Sequence, residues 1–265
     1  YCWGLSYWNQ ASSEDTWSFT PVAVPGGLRF ALVTAGFYYT CGLTPSGVAY
    51  CWGLNDQGQL GDGSTTDRRN PTAVSGGLTF ATLSPHPNAH HTCGVTPAGS
   101  AYCWGANGEG QLGDGSTVAS SHPVAVRGGL TFATLAAGWA HTCGLTAAGA
   151  AYCWGSNTVG QLGVGSTTPS LTPVAVGGGL TFVTLSAGSA HTCGLAPDGI
   201  VHCWGFNGSG QLGNGATTNA LVPVPVSPPA TASWAGTAGG GSAPGEVRLR
   251  RPSPVGGHAR DRRGP

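Results

Sequence analysis

The sequence predicts an all-β chain folded as a β-propeller of four-stranded blades, with about four to five blades present as a partial or incomplete ring. Three observations predict it. The phrase Tyr-Cys-Trp-Gly stands at 1–4, 50–53, 102–105 and 152–155, and returns as His-Cys-Trp-Gly at 202–205. A period near fifty residues marks stacked structural units. Within each period, short runs alternate large apolar with small or polar residues, the two-residue rhythm of half-buried strands. Between the runs stand Gly and Pro clusters, and no stretch is long or periodic enough for a helix.

The unit from Pro173 to Gly215 shows the elements in order. Pro-Val-Ala-Val (173–176) is a short apolar run closed by Gly177–Gly179. Leu-Thr-Phe-Val-Thr-Leu (180–185) and His-Thr-Cys-Gly-Leu-Ala (191–196) alternate as strands around an Ala-Gly-Ser turn. Pro197-Asp198-Gly199 is a tight turn, Ile-Val-His-Cys-Trp (200–204) a further strand, and Gly-Gln-Leu-Gly-Asn-Gly (210–215) a loop back. Four short strands per fifty residues is the composition of a propeller blade. The units run at about 1–49, 50–101, 102–151, 152–201 and, in part, 202–226. Residues 227–265, rich in Pro, Gly and Arg, read as a disordered tail.

The tight turns Pro45-Ser46-Gly47, Pro97-Ala98-Gly99, Ala147-Ala148-Gly149 and Pro197-Asp198-Gly199 fit three-residue hairpin loops with Gly in the left-handed position. That register sets Cys41 opposite Cys51, Cys93 opposite Cys103, Cys143 opposite Cys153 and Cys193 opposite Cys203. Opposed Cβ atoms lie about 4.5–5.5 Å apart, within reach of a disulfide after modest adjustment. Free buried cysteines are the alternative, and a metal site is disfavoured by the spacing. Cross-strand disulfides place the chain in an oxidising setting: secreted, periplasmic or at the cell surface. Cys2 is left over, as in a chain that starts within a unit.

Composition narrows the function classes. The chain has 265 residues and ten Arg, no Lys and ten acidic residues. Residues 1–226 hold four Arg and eight acids, net −4, so no nucleic-acid footprint is expected. No apolar run approaches the ~20 residues of a membrane helix. No catalytic constellation, cofactor motif or metal site emerges. The Gly-Gln-Leu-Gly loops carry at most one carboxylate each (Asp62, Asp114), too few for calcium, and read as turns.

These units resemble the repeat of the regulator of chromosome condensation family. The resemblance rests on Ala-Gly-x-Ala-His-Thr-Cys-Gly-Leu (187–195), Gly-x-x-x-Cys-Trp-Gly-x-Asn (199–207) and Gly-Gln-Leu-Gly-x-Gly (58–63, 110–115, 160–165, 210–215). It covers about residues 1–226 and implies a propeller; well-known members have seven blades. The first unit departs from it, because residues 5–20 lack the Gly-Gln-Leu-Gly loop. The paired cysteines are similar to secreted bacterial versions of the repeat. Family functions include nucleotide exchange on a small nuclear GTPase, chromatin binding, ultraviolet sensing and inhibition of a secreted β-lactamase, and a fold does not select among them.

Residues copied into every unit read as structure. Trp52, Trp104, Trp154 and Trp204 fill space between blades rather than stack a ligand. His91, His141 and His191 bond backbone through a ring nitrogen rather than ring a metal or anion. Functional residues are sought where copies disagree, in the turn before His-Thr-Cys: Phe37 and Tyr38 in one copy, His86 and Asn88 after a two-residue insertion in the next, then Trp139, then Ser189. Aromatics varied on a rigid scaffold suit a protein-binding surface. The expected function is a non-enzymatic scaffold that binds a protein or other macromolecule through these loops. The alternatives are a nuclear-type nucleotide-exchange or chromatin regulator, and a passive module of a larger surface protein.

Overall fold

Each hairpin turn sets the register of its sheet. In the computed structural model, which describes residues 1–5, 17–84 and 86–227, the Gly47 N–H donates to the Thr44 carbonyl (2.9 Å) and the Thr44 N–H to the Val48 carbonyl (3.0 Å). Gly47 closes the turn at φ +82°, a conformation that a Cβ would strain. Leu43 then faces Ala49 and Cys41 faces Cys51. The same register sets Cys93 opposite Cys103, Cys143 opposite Cys153 and Cys193 opposite Cys203. All four pairs are bonded as disulfides, with Cα atoms 4.0–4.1 Å apart.

Eighteen strands are described. The first two, β1 (Cys2–Leu5) and β2 (Trp17–Val22), form a two-stranded sheet. Four four-stranded antiparallel sheets follow. The first holds β3 (Leu32–Ala35), β4 (Tyr39–Leu43), β5 (Ala49–Gly53) and β6 (Arg68–Ala73). The second holds β7 (Thr82–Leu83), β8 (His91–Val95), β9 (Ala101–Gly105) and β10 (Ser120–Ala125). The third holds β11 (Thr134–Ala137), β12 (His141–Leu145), β13 (Ala151–Gly155) and β14 (Ser170–Ala175). The fourth holds β15 (Thr184–Ala187), β16 (His191–Leu195), β17 (Val201–Gly205) and β18 (Ala220–Pro225). These are the blades of an all-β propeller. The Tyr-Cys-Trp-Gly phrase is the third strand, so the sequence unit is offset from the sheet by two strands. β1 and β2 pair as third and fourth strands do: Cys2 faces Val22 as Cys103 faces Val124. The expected tail after residue 227 and most of residues 5–20 lie outside the described residues.

Each fourth strand is an edge, and each carries a proline: Pro71, Pro123, Pro173 and Pro223. Proline at an edge removes a donor that would otherwise invite another strand to pair. Where third and fourth strands meet, the register slips between Cys51 and Gly53, with equivalent slips in the other blades. The loop that leaves each bulge is clamped by one asparagine. Asn55 Oδ1 accepts from the Leu60 N–H (2.9 Å), and its Nδ2 donates to the Ser64 and Thr66 carbonyls (3.0 Å each). Asn107, Asn157 and Asn207 repeat the clamp.

The core lies between blades. Cys93, Val95, Ala101, Cys103 and Leu112 of one blade pack with Trp154 of the next, and Cys143, Leu145, Cys153 and Leu162 with Trp204. Each indole also meets a partner in its own blade, Phe132–Trp154 at 5.8 Å and Phe182–Trp204 at 5.7 Å. The Trp104 indole N–H donates to the Gln59 carbonyl (3.0 Å), Trp154 to Gln111 (2.9 Å) and Trp204 to Gln161 (3.0 Å). A threonine hydroxyl of the same incoming blade donates to each carbonyl: Thr92 to Gln59, Thr142 to Gln111 and Thr192 to Gln161 (2.9, 2.9 and 3.1 Å). The loop must be glycine beside the indole: a Cβ on Gly61 would stand 2.7 Å from Trp104 Nε1.

Two of the three histidines, His91 and His141, close this junction, and not through backbone as their position suggests; His191, in the fourth blade, is half-buried. His91 Nε2 lies 3.0 Å from the Thr142 hydroxyl, and His141 Nε2 lies 3.0 Å from that of Thr192. Thr142 and Thr192 spend their protons on the glutamine carbonyls, so each Nε2 carries the hydrogen. Nδ1 is then bare, and it is buried without a hydrogen-bond partner in both rings. In the first blade Tyr39 takes the slot; its hydroxyl donates to the His91 carbonyl (2.8 Å).

Two predictions follow from this packing. Burial lowers His91 and His141 from their ordinary 6.5 to about 3. As pH falls through 6.5 the unfolded chain takes up protons that the native one refuses, so stability is full above 6.5 and falls toward 3. Urea unfolding is expected to lose about 2–4 kcal/mol between pH 7 and pH 5, where carboxylates stay ionised, and His91→Gln with His141→Gln to flatten the loss. An unchanged midpoint would contradict the neutral-histidine junction. Separately, Cys143→Ala with Cys153→Ala is expected to cost about 2–3 kcal/mol in urea titrations, the loop-closure value for a bridge of this span.

Candidate binding face

The turns between first and second strands converge on one face. The Phe37 N–H donates to the Ala89 carbonyl (3.4 Å) and the Trp139 N–H to the Ser189 carbonyl (3.2 Å). The insertion in the second blade lets Asn88 reach past the third: its Nδ2 donates to Ser189 Oγ (3.0 Å). Phe37, Tyr38, Asn88, Trp139 and Ser189 therefore belong to one tied set of loops. His86 sits within its own turn, with Nδ1 accepting from the Asn88 N–H (3.2 Å). Burial, with His191 nearby, lowers its pKa.

Two aromatics stand out on this face. Trp139 is 59% exposed, unlike the buried indoles of Trp104, Trp154 and Trp204. Tyr38 is exposed and has φ +54°, the one non-glycine among the described residues in the left-handed region. A bulky residue there costs of order 1–3 kcal/mol and persists where its surroundings hold it. The Leu54 N–H donates to the Tyr38 carbonyl (2.9 Å), a bond that the other blades repeat at His90, Ala140 and Ala190 without the positive φ. Tyr38 packs edge-on to Phe37 at 4.4 Å, and Phe37 lies 4.7 Å from the His90 ring.

A cavity of about 460 Å³ opens beside them, lined by Phe37, Tyr38, Leu54, Asp56, Thr65, Asp67 and His90. A second, of about 250 Å³, lies across His90 and is lined by Gln57, Ala106, Glu109, Gln111, Trp139 and Ala140. Sequence reasoning missed this acidic half of the face. Its signal was present: the slot after the clamp asparagine holds Asp56, Gly108, Thr158 and Gly208, and the next holds Gln57, Glu109, Val159 and Ser209. These positions vary as freely as the aromatic turns. Among the described residues, no three His, Cys, Asp or Glu side chains group to hold a metal ion, and no helix is long and apolar enough to cross a membrane.

Comparison with known proteins agrees with this architecture. The family profile described as the regulator of chromosome condensation (RCC1) repeat matches residues 46–84, 98–145, 148–195 and 198–242. The human E3 ubiquitin-protein ligase HERC2 is 38% identical over 97 residues, which are 37% of this chain and 2% of the ligase. The Ultraviolet-B receptor UVR8 of Arabidopsis thaliana is 31% identical over 144 residues, 52% of this chain and 33% of the receptor. The chain thus spans a third or less of these relatives. The solved structure of human WBSCR16 aligns with TM-score 0.75 at 20% identity, over 84% of this chain and 61% of that one. Yeast RCC1 (Prp20), solved with Kap60, aligns at 0.72 and 22% identity, over 82% of this chain and 53% of that one. With blade topology, interblade junctions and repeat profile in agreement, the chain belongs to the regulator of chromosome condensation (RCC1) repeat family.

Proposed function

We propose that this chain is a non-enzymatic scaffold that binds a protein partner through the face bearing Phe37, Tyr38, Asn88, Trp139 and Ser189. One observation carries the reading: side chains that differ between copies, two of them exposed aromatics, are gathered on loops that hydrogen bonds tie together across blades. Large rigid rings on a fixed scaffold give contact area at low entropic cost, as interface anchors do. The strained Tyr38 supports it further, since a purely structural turn has no use for a tyrosine where glycine is unstrained. The relatives span a ubiquitin ligase and a light receptor, so the shared repeat selects no single activity. Four cross-strand disulfides suit an oxidising compartment, which favours an extracellular or periplasmic partner over a nuclear one.

The test uses a partner captured by cross-linking and then purified. Trp139→Ala is expected to weaken its binding at least tenfold with little change in melting temperature. Tyr38→Gly is expected to weaken binding while stabilising the fold by about 0.5–1 kcal/mol, through relief at φ +54°. Thr146→Ala, in a hairpin turn away from these loops, is expected to leave affinity unchanged. Full affinity in both face variants would refute the assignment.

A further inference from the structure

The two cavities on the face share His90 as a wall, and each combines aromatic surface with carboxylate. On one side Phe37 and Tyr38 stand with Asp56 and Asp67; on the other, Trp139 stands with Glu109. The repeat provides an internal comparison. At the same slots, later blades place Thr158, Val159, Gly208 and Ser209 on the acidic side and Ser189 on the aromatic side. The acids stand on the first and second blades and the rings on the first and third, so the second cavity pairs Glu109 with the ring of the following blade; the fourth blade carries neither, although nothing in the scaffold requires either.

Resting on the reading of this face as a binding surface, we propose that the paired cavities take the cationic side chains, arginine above all, of an extended protein segment. The electrostatics agree. Asp56 accepts from the neutral amides of Gln59 (3.2 Å) and Gln57 (3.5 Å) and lies 3.8 Å from His90 Nδ1. Asp67 uses one oxygen on the Asn55 N–H (2.8 Å), which leaves the other for a ligand. Asp56, Asp67 and Glu109 are exposed, and residues 1–226 carry eight acids against four Arg. A guanidinium offers planar donors to a carboxylate while its face stacks on a ring. Cations are also drawn to exposed indole and phenol faces. Volumes of about 460 and 250 Å³ suit individual side chains of a strand laid across His90, not a globular domain.

The experiment titrates the intact chain with a fluorescein-labelled Gly-Arg-Gly-Arg-Gly-Arg-Gly peptide, read by anisotropy. The comparison peptide carries citrulline, the neutral isostere, at the three Arg positions. The Arg peptide is expected to bind saturably and the citrulline peptide at least tenfold more weakly. Asp56→Asn and Glu109→Gln are each expected to weaken the Arg peptide at least threefold, and Tyr38→Gly to weaken it by a similar factor. Asp198→Asn, in a hairpin turn whose cap the amide oxygen preserves, is expected to change nothing. Equal binding of the two peptides, absence of binding, or an equal loss in Asp198→Asn, the mark of unspecific attraction to an acidic array, would each overturn the proposal. Loss of the purified partner in Trp139→Ala together with no Arg-peptide binding would refute the cationic ligand and leave the binding face standing.

Discussion

One backbone carbonyl at each of three junctions, that of the glutamine in the Gly-Gln-Leu-Gly loop, holds these blades together. It accepts the indole N–H and the threonine hydroxyl of the next blade at 2.9–3.1 Å, in a place with almost no water. A buried carbonyl left unpaired costs on the order of 1–3 kcal/mol, so a blade that lacks its neighbour is penalised in polar as well as apolar terms. Around this acceptor the repeat becomes intelligible. Trp and Thr face each other across the second and third strands so that both donors leave one face of the sheet. The disulfide joins the same two strands one residue further on, and the histidine supplies the hydrogen that the threonine oxygen still accepts.

The division of labour between repeated and unrepeated residues follows. A junction this demanding fixes Gly, Gln, Leu, Trp, Thr and Cys in each copy and leaves them no freedom for recognition. Loops that emerge beyond the junction carry no such demand. There the blades diverge: Phe37, Tyr38, His90 and Trp139 replace small residues such as Ala140, Ser189 and Ala190 at equivalent places. The rigidity below lets an unfavourable backbone angle at Tyr38 persist above, where its ring packs on Phe37.

Much of this was legible from residues alone, because period-2 alternation and hairpin turns are local signals. Pro-x-Gly turns specify which strand residues face each other, and so the cysteine pairs. The loops that vary were legible by subtraction, from Phe37 to Ser189. What stayed hidden was non-local. Nothing near His141 in sequence says that its ring meets Thr192, fifty-one positions away, rather than backbone. Nor does the local pattern say that Asp56 and Glu109, after a different strand, come up beside Phe37 and Trp139. That proximity arises from antiparallel pairing, which sets Tyr39 opposite Gly53 and so the entry of the second strand beside the exit of the third, and from the stacking of one blade on the next, which brings Glu109 to Trp139.

Hydrogen exchange of the tryptophan indoles, followed by NMR on the native chain, tests the central claim most directly. If interblade carbonyls are the structural lock, the Nε1 hydrogens of Trp104, Trp154 and Trp204 exchange only through large opening of the propeller, orders of magnitude more slowly than that of Trp139 on the open face. Exchange of the three at the rate of Trp139 would contradict the lock, and with it the assignment of repeated residues to scaffold and unrepeated residues to recognition.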